Sequence, residues 1–420
     1  MRITIHRGLD QIGGCITEIT TKDSRIIIDL GHNLSDDEDT LANKESIEAL
    51  TQGVDAIFYT HYHGDHIDLF RYVPDNIKQY IGDTAKKVIQ CKYRQLSKIP
   101  EVGKEYRLLL SKIEQMLSLK EGNRVQVGDI SVTPFFVSHS AYEAYMFLIE
   151  SEDKRILHTG DFRDHGYLGK GLMKILERIS GGASIDALIL EGTMLSREGE
   201  VVKRESELQD DIFDIMSNYK NVFVLCSSTD MERLATFYAA NKRIYNRSFI
   251  VDDYQKEILQ IFSDSAGTKS SLFDFKKVFD FKKVFDFKED NGKLLKYMED
   301  KGFCMLVRPT DKFSDYYRFI DQHINKEETI LIYSMWQMYI NPNSRHQKAN
   351  YIKFVNQFPA IKKVHTSGHA SWTCLENVCR LVNPSKAIIP IHTEQTENFS
   401  LLNIPDSLKD KVIRTATIQI

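Results

Sequence analysis

The densest group of potential metal ligands in this 420-residue sequence is His61-Tyr62-His63-Gly64-Asp65-His66. Chance would rarely place three histidines within six positions beside an aspartate, because the whole chain has only 13 histidines. Imidazole nitrogen and carboxylate oxygen are the ligands that zinc and similar divalent cations prefer. A strand that ends before His61 would let His61 and His63 point to one side, which leaves Asp65 and His66 for a second cation.

Three later residues extend this group of ligands: His139, Asp161 and His392. With the first motif they offer seven ligands, which is enough for two divalent metal ions. The alternative, in which the first motif is only a polar surface loop, is hard to reconcile with such a set. Zinc is the favoured metal, and manganese remains open because the acidic side chains offer oxygen.

Short strands joined by polar turns precede most of these residues. An apolar segment at residues 26–28 leads into Asp29, and another at 56–59 leads to His61. Residues 130–137 run toward His139, and residues 185–190 run into Glu191. Loops held by a rigid scaffold carry binding and catalytic side chains in this way. We therefore expect these residues to meet at the edge of a sheet.

The order of these motifs resembles that of the metallo-β-lactamase superfamily, in which a strand-end Asp, HxHxDH, His, Asp and His follow one another. The resemblance implies an α/β fold, the αββα sandwich. It also assigns the ligands to two metals: His61, His63 and His139 for one, Asp65, His66 and His392 for the other, and Asp161 bridging them. Asp29 would orient the ligand loop. His158 matches no ligand of the superfamily, and we expect it to be buried and hydrogen-bonded.

The pattern changes after Glu191, where predicted helices and strands alternate. Such alternation predicts a largely parallel α/β domain. The chain then returns to loop histidines near residue 365, so the second domain is predicted to be inserted into the first. It resembles the β-CASP domain of the ribonuclease J-like nucleases. We predict a first part at 1–193, an inserted β-CASP domain at 194–360 and a C-terminal part at 361–420.

Three further motifs carry the resemblance to the β-CASP nucleases. They are Glu191 in LILEGT, His369 in SGHAS and His392 in IPIHTE. By this resemblance Asp65, Glu191 and His369 are the catalytic residues. His369 would protonate the leaving 3′ oxygen of a phosphodiester, and Glu191 would orient a nearby histidine. DNA-processing members tend to replace the last histidine by an apolar residue, so His392 favours RNA as the substrate.

Rival functions use the same metal ligands. They are a DNA nuclease, a small-molecule esterase of the same fold and a non-catalytic RNA-binding subunit. The inserted domain disfavours the esterase, the complete ligand set disfavours the non-catalytic subunit, and His392 disfavours the DNA nuclease. A 5′-to-3′ exonuclease, an endonuclease or both remain open for the favoured RNA hydrolase.

A phosphate pocket for the RNA end is predicted at two loops. The strand at 222–226 ends in hydroxyl residues, and Thr229 with Glu232 matches a capping box at a helix start. A helix N-terminus attracts anions, and in ribonuclease J-like enzymes the corresponding loops hold a 5′-monophosphate. The predicted pocket residues are Ser227, Ser228, Thr229, His365, Ser367 and Gly368. The alternative is that Thr229 only caps its helix.

Composition limits the partners, the redox state and the location that the sequence allows. The net charge of −4 gives no support for a nucleic-acid partner, although a local basic channel and bound cations can act alone. The six cysteines form no CxxC pair, so we expect reduced, buried thiols. No apolar run is long enough to span a membrane, and the N-terminus lacks a signal-peptide core, so a cytoplasmic protein is expected. A homodimer remains open.

One segment, at residues 273–288, repeats a six-residue unit, FDFKKV. A period of six fits neither an α-helix nor a heptad. A basic-aromatic arm for nucleic acid is one interpretation. We favour a tandem duplication tolerated at the surface.

Overall fold

The computed structural model describes residues 1–34, 39–280 and 293–420. The chain folds into two compact units, the first formed by Met1–Val202 with Ser367–Ile420 and the second by Lys203–Thr366. In sequence, the second unit is therefore inserted into the first. Part of the FDFKKV repeat lies outside the described residues, so the expectation for that segment stays a prediction.

Two β-sheets form the centre of the first unit. One sheet has seven strands in the order β19-β1-β2-β3-β4-β5-β6. Its strands are β1 (Arg2–Arg7), β2 (Ile16–Thr20), β3 (Arg25–Ile28), β4 (Ala56–Phe58), β5 (Lys78–Gly82), β6 (Leu117–Leu119) and β19 (Thr417–Gln419). The other has six strands in the order β18-β11-β10-β9-β8-β7. Its strands are β7 (Val125–Val127), β8 (Ile130–Val137), β9 (Ala144–Ser151), β10 (Lys154–His158), β11 (Ala187–Glu191) and β18 (Ala387–Ile391).

Apolar side chains fill the space between these two sheets. Ile26 and Ile28 of β3 join one hydrophobic cluster with Phe147 of β9 and Ile189 of β11. Ile27, between the first two, is also fully buried but points to the opposite face, because successive side chains of a strand alternate. A strand that is covered on both faces has a continuous run of apolar residues, and residues 26–28 are accordingly all isoleucine.

Helices cover the outer faces of both sheets. The α-helices of the first unit are α1 (Lys44–Thr51), α2 (Gly64–Ile67), α3 (Asp83–Leu96), α4 (Gly103–Gln115), α5 (Leu172–Ser180), α12 (Trp372–Val382) and α13 (Asp406–Lys409). Leu176 of α5 and Leu375 of α12 pack with Leu157 and Leu188 of the six-stranded sheet in a second cluster. Helix α3 contacts β5 and β6 of the seven-stranded sheet. The layers confirm the predicted αββα sandwich.

The second unit is an α/β domain around one parallel sheet. The strand order is β14-β13-β15-β12-β16-β17, and every neighbouring pair is parallel. The strands are β12 (Asn221–Cys226), β13 (Ser248–Val251), β14 (Phe279–Asp280), β15 (Phe303–Val307), β16 (Thr329–Ser334) and β17 (Ile361–Lys363). The described α-helices are α6 (Glu205–Ser217), α7 (Met231–Lys242), α8 (Asp253–Phe262), α9 (Lys293–Lys301), α10 (Asp311–Ile320) and α11 (Ala349–Val355). The alternation predicted for the inserted domain is confirmed.

The start of helix α7 corrects one prediction. The helix begins at Met231, and its N-cap is Asp230, whose carboxylate accepts a hydrogen bond from the main-chain N–H of Arg233 at 3.1 Å. Thr229 is therefore not the cap, and its hydroxyl lies 3.2 Å from that of Ser227. Aspartate is as good an N-cap as serine and slightly better than threonine, so the later residue takes the position.

Candidate metal centre

Strand ends bring the predicted ligands together in the first unit. Asp29 directly follows β3, and His61 lies three residues after the end of β4. His139 and Asp161 follow β8 and β10 by two and three residues, and His392 follows β18 at once. All seven predicted metal ligands belong to this unit. The strands of the two sheets thus bring motifs that are distant in the sequence into one cluster.

The first group of ligands is His61, His63 and His139, whose ligand atoms all lie within 4.8 Å of one another. The Nδ1 atom of His63 is 3.2 Å from Nε2 of His139. The opposite nitrogen of His139, Nδ1, donates to the carbonyl oxygen of Gly368 at 2.7 Å. This hydrogen bond sets the tautomer, because a carbonyl can only accept, and it leaves the Nε2 lone pair for a metal.

A side chain at Gly368 would crowd Ser140 beside this contact. A Cβ atom on Gly368 would lie 2.5 Å from the hydroxyl oxygen of Ser140 and 3.5 Å from the ring of His139. A larger residue would therefore require Ser140 to shift, next to the imidazole that the Gly368 carbonyl orients.

The second group contains Asp65, His66 and His392. The Nε2 atom of His392 is 3.2 Å from Oδ2 of Asp65, and Nε2 of His66 is 3.8 Å from the same oxygen. Asp29 is fully buried, and its Oδ2 accepts a hydrogen bond from Nδ1 of His66 at 2.8 Å. The other oxygen of Asp29 accepts from the main-chain N–H of Thr60 at 2.7 Å. Asp29 therefore fixes both the HxHxDH loop and the ring of His66.

Asp161 lies between the two groups of ligands. Its Oδ2 atom is 3.9 Å from Nε2 of His61 and 3.8 Å from Nε2 of His139, which belong to the first group. The same oxygen is 3.2 Å from Nε2 of His66 and 3.7 Å from Nε2 of His392, which belong to the second. One carboxylate oxygen thus faces both groups, as a bridging ligand does.

The buried polar atoms of the cluster fit divalent cations. Among the described residues, the Nε2 atoms of His61 and His66 are buried and have no hydrogen-bond partner. Burial lowers the pKa of His61 well below its ordinary value and that of His63 to about 4. These imidazoles are therefore neutral near pH 7, which is the state that binds a metal.

The carboxylates of Asp29 and Asp161 are buried together with His66. Burial alone lowers the pKa of His66, but Asp161, Asp29 and Asp65 outweigh it and raise that pKa well above its ordinary value. Burial raises the pKa of Asp161, but His392, His66 and His369 outweigh it, so Asp161 stays ionised. Buried charge is costly unless it is compensated, and cations held here would supply that compensation.

His369 and Glu191 lie beside the second group. The Nδ1 atom of His369 is 3.5 Å from Oε2 of Glu191 and 3.7 Å from Oδ2 of Asp161. The side chain of Glu191 accepts hydrogen bonds from the main-chain N–H groups of Ala370 at 2.9 Å and Thr193 at 3.1 Å. Glu191 therefore holds the loop of His369 as well as facing its ring. The side chain of His369 is 21% exposed, so a substrate can reach it.

The residues of the predicted phosphate pocket are divided between the two units. Ser227, Ser228, Thr229 and His365 belong to the second unit, and Ser367 and Gly368 belong to the first. The hydroxyl of Ser228 accepts a hydrogen bond from Gln255 at 3.4 Å, and Nδ1 of His365 lies 3.3 Å from a guanidinium nitrogen of Arg233. The hydroxyl of Ser367 accepts from the main-chain N–H of His369 at 3.1 Å.

Several residues at the site were not found from the sequence. The hydroxyl of Thr193 lies 2.7 Å from Nδ1 of His392 and 3.1 Å from Nδ1 of His369, and it connects the two rings. His165 is buried, and its Nε2 donates to the carbonyl oxygen of Ser367 at 2.7 Å. Cys15 is buried beside His66 and His392. In the sequence, only the position of Thr193 two residues after Glu191 could have indicated that it belongs to the site.

His158 lies outside both ligand groups. It is 1% exposed, and its Nδ1 accepts a hydrogen bond from the main-chain N–H of Gly160 at 3.1 Å. Its Nε2 is 3.4 Å from the hydroxyl of Thr17. The ring is therefore buried and hydrogen-bonded, as we expected from the sequence.

Comparisons with known proteins agree with this fold. Residues 24–210 match the family model of a beta-lactamase superfamily domain. Ribonuclease J of Helicobacter pylori strain 26695 is 22% identical over 412 residues, which cover 94% of this chain and 56% of the relative. Ribonuclease J of strain B128 is 22% identical over 409 residues with the same coverage. The chain thus spans about half the length of the curated relatives it matches.

A solved structure has the same fold along nearly the whole chain. It is a protein of unknown function from Enterococcus faecalis V583, with a TM-score of 0.70, 19% sequence identity, and coverage of 94% of this chain and 95% of that one. The fold and the His/Asp cluster define a metallo-β-lactamase-fold protein with an inserted α/β domain. At residues 24–210 the chain is similar to the beta-lactamase superfamily domain, and over 94% of its length it is similar to ribonuclease J. Among the described residues, none of the helices has the length and apolar character needed to cross a membrane.

Proposed function

We propose that this chain is a two-metal phosphodiester hydrolase that acts on RNA. The observation that carries the proposal is the position of Asp161, whose Oδ2 atom lies within 3.9 Å of histidine nitrogens from both ligand groups. A carboxylate shared by two sets of ligands suits a pair of cations better than a single one.

Each cation would have three ligands of its own besides the shared carboxylate. His61, His63 and His139 would hold one, and Asp65, His66 and His392 would hold the other. Such a pair of cations neutralises charge on a phosphodiester and lowers the pKa of water toward neutrality. Zinc is favoured by the number of imidazole ligands, with manganese as the alternative.

The protein itself would supply the proton for the leaving group. An alkoxide leaves poorly without a proton, and His369 is the partly exposed histidine at the edge of the cluster. Its Nδ1 atom faces Thr193 and Glu191, so we assign the proton transfer to Nε2. Glu191 and Thr193 would hold the ring in place, and Asp65 would act as a ligand within the reacting centre.

Two observations support RNA as the substrate. The curated relatives that match 94% of the chain are named ribonuclease J. The third β-CASP motif has His392, where DNA-processing members tend to have an apolar residue. We propose 5′-to-3′ exonucleolytic cleavage with a preference for monophosphorylated ends, and endonucleolytic cleavage as its alternative. The Asp230 cap weakens the 5′-phosphate pocket, because a carboxylate already occupies the positive end of helix α7.

The test is an assay of purified protein on labelled RNA, on DNA of the same sequence and on a simple ester, each with and without chelator. We expect chelator-sensitive cleavage of RNA, with little activity on the other two substrates. Asp161→Ala should abolish it, and His323→Ala should not, since His323 is a partly exposed histidine of the second unit. Comparable cleavage of DNA or of the ester would contradict the proposal that RNA is the preferred substrate. RNA binding without any cleavage would indicate a non-catalytic subunit.

A further inference from the structure

We propose that Cys15 is an additional ligand of the second metal, so that its site takes a thiophilic cation such as zinc. The inference rests on the metal-binding part of the proposed function and goes beyond its seven ligands. Thiolate sulfur is a preferred zinc ligand, whereas manganese prefers oxygen. The proposal therefore concerns which metal the chain selects.

The position of the thiol is the first observation. The Sγ atom of Cys15 and one nitrogen each of His66 and His392 lie within 4.8 Å of one another, and all three residues are buried. Among the described residues, none of the other five cysteines belongs to such a group of potential ligands.

The metal-facing nitrogen of His66 is the second observation at the same place. The Nε2 atom of His66 is buried, and among the described residues it has no hydrogen-bond partner. Its other nitrogen is already fixed by Asp29 at 2.8 Å. A buried imidazole nitrogen that makes no hydrogen bond and faces the carboxylate of Asp161 at 3.2 Å is suited to a cation, and the Cys15 thiol lies within 4.8 Å of one nitrogen of the same ring.

Main-chain contacts hold Cys15 against the ligand loops. Its N–H donates to the carbonyl oxygen of Asp65 at 3.0 Å, and its carbonyl oxygen accepts from the N–H of Gly31 at 3.1 Å. Gly8 lies on the other side, where a Cβ atom would be 3.2 Å from Sγ of Cys15. The carbonyl oxygen of Gly8 also accepts from the N–H of His392 at 2.6 Å. The Cys15 thiol is therefore confined beside Gly8, whose carbonyl oxygen holds the main chain of the ligand His392.

The distances between Cys15 and the two rings are compatible with a thiolate ligand at the second metal. Tetrahedral zinc with Zn–S near 2.3 Å and Zn–N near 2.0 Å separates sulfur from nitrogen by about 3.5 Å. The thiol and the two rings, which lie within 4.8 Å of one another, would have to approach by no more than about 1.3 Å. Asp65, whose Oδ2 is 3.2 Å from Nε2 of His392, and the shared carboxylate of Asp161 would be the other two ligands of this cation, which makes five in all. Coordination would convert the thiol to a thiolate and release its proton to solvent.

The alternative is that Cys15 is only a small apolar side chain in the core. The two interpretations differ in the spectrum of the cobalt-substituted protein, because Co²⁺ bound by a thiolate has an intense near-ultraviolet charge-transfer band that nitrogen and oxygen ligands do not give. Metal-free protein would be titrated with Co²⁺ and, separately, with Zn²⁺ and Mn²⁺. The variants are Cys15→Ala, Cys15→Ser and, as a matched control, Cys379→Ala, which removes a buried thiol from helix α12.

We expect the charge-transfer band in the wild type and in Cys379→Ala, and its loss in both Cys15 variants. Zinc binding at one of the two positions should weaken by at least about tenfold in Cys15→Ala, with a smaller effect on manganese. Wild-type protein that binds two cobalt ions without the band would overturn the role of Cys15 and leave the proposed function intact. Wild-type protein that binds no metal would overturn both. Because the wild-type spectrum decides the point, a variant that fails to fold does not prevent the test.

Discussion

Replacement of His369 by alanine tests whether this residue is a proton donor or a metal ligand. The ring is 21% exposed and lies 3.7 Å from Asp161 through Nδ1, so proximity alone permits either role. As a general acid, His369 would contribute about 10²–10⁴-fold to the rate, which equals about 2.7–5.4 kcal/mol of activation free energy. We expect His369→Ala to lose RNA cleavage by this factor and to keep both metals.

The decisive assay varies the leaving group. A p-nitrophenyl phosphodiester of a nucleotide releases a stable phenolate, which needs no proton. His369→Ala should therefore cleave it nearly as fast as the wild type while failing on RNA. Metal content, measured by elemental analysis of the same samples, completes the comparison. Thr193→Val is the informative companion, because it removes the hydroxyl 3.1 Å from Nδ1 of His369 and keeps the volume.

Two results would refute the assignment of His369 as the acid. An equal loss of activity on RNA and on the activated phosphodiester would show that the leaving group receives no proton from this residue. Loss of one metal in His369→Ala would make the residue a ligand, which its place in a group with Asp161, Glu191 and His392 allows.

The remaining predictions concern the bridging carboxylate, the RNA end and the repeat. Asp161→Ala should lose metal, since one oxygen faces both ligand groups, and wild-type occupancy in elemental analysis would contradict the bridging role. RNA of one sequence with a 5′-monophosphate, triphosphate or hydroxyl should be degraded fastest with the monophosphate; equal rates with internal fragments as first products would indicate an endonuclease. Deletion of one FDFKKV unit from residues 273–288 should leave cleavage of short RNA nearly unchanged, and a large drop in RNA affinity in a binding assay would favour a basic-aromatic arm.

Residue type and spacing were sufficient for the layers of the fold and for the seven predicted metal ligands that the fold brings together. The run Ile26-Ile27-Ile28 predicts a strand that leads into Asp29, and the structure has this strand in the middle of a sheet, buried on both faces. Asp29, His61 and His139 follow strand ends in the sequence and in the structure. These features depend on neighbouring residues in the chain, so they can be predicted from a single sequence.

Contacts between distant segments could not be predicted in the same way. Thr193 contacts His392 across 199 residues, and His139 contacts the carbonyl of Gly368 across 229. Threonine hydroxyls and main-chain carbonyls are common, so their types point to no particular partner. Cys15 lacks the CxxC spacing that would identify a ligand cysteine from sequence, and only the fold brings it beside His66.

The cap of helix α7 was predicted wrongly for a different reason. Thr229 and Asp230 are both good N-caps, and the capping-box spacing with Glu232 favoured the first of them. Helix boundaries shift by one or two residues when neighbouring residues can both accept the bond. The error matters for function, because it places a carboxylate where the phosphate of the RNA end was expected.

The main chain of the N-terminal loop explains how separate motifs keep a fixed geometry. Gly8 accepts a hydrogen bond from His392, and Cys15 donates one to Asp65, so one loop ties the first and last ligand segments together. His392 itself has a positive φ of 55°, and Asp29 has one of 61°. Such a left-handed conformation costs about 1 kcal/mol or more for a non-glycine residue, so it persists only where surrounding bonds enforce it. The 2.6 Å bond from the N–H of His392 to Gly8 and the contacts of Asp29 with Thr60 and His66 are such bonds. The strained backbone thus falls at a ligand and at the residue that orients another ligand, where precise side-chain direction matters most for holding two cations.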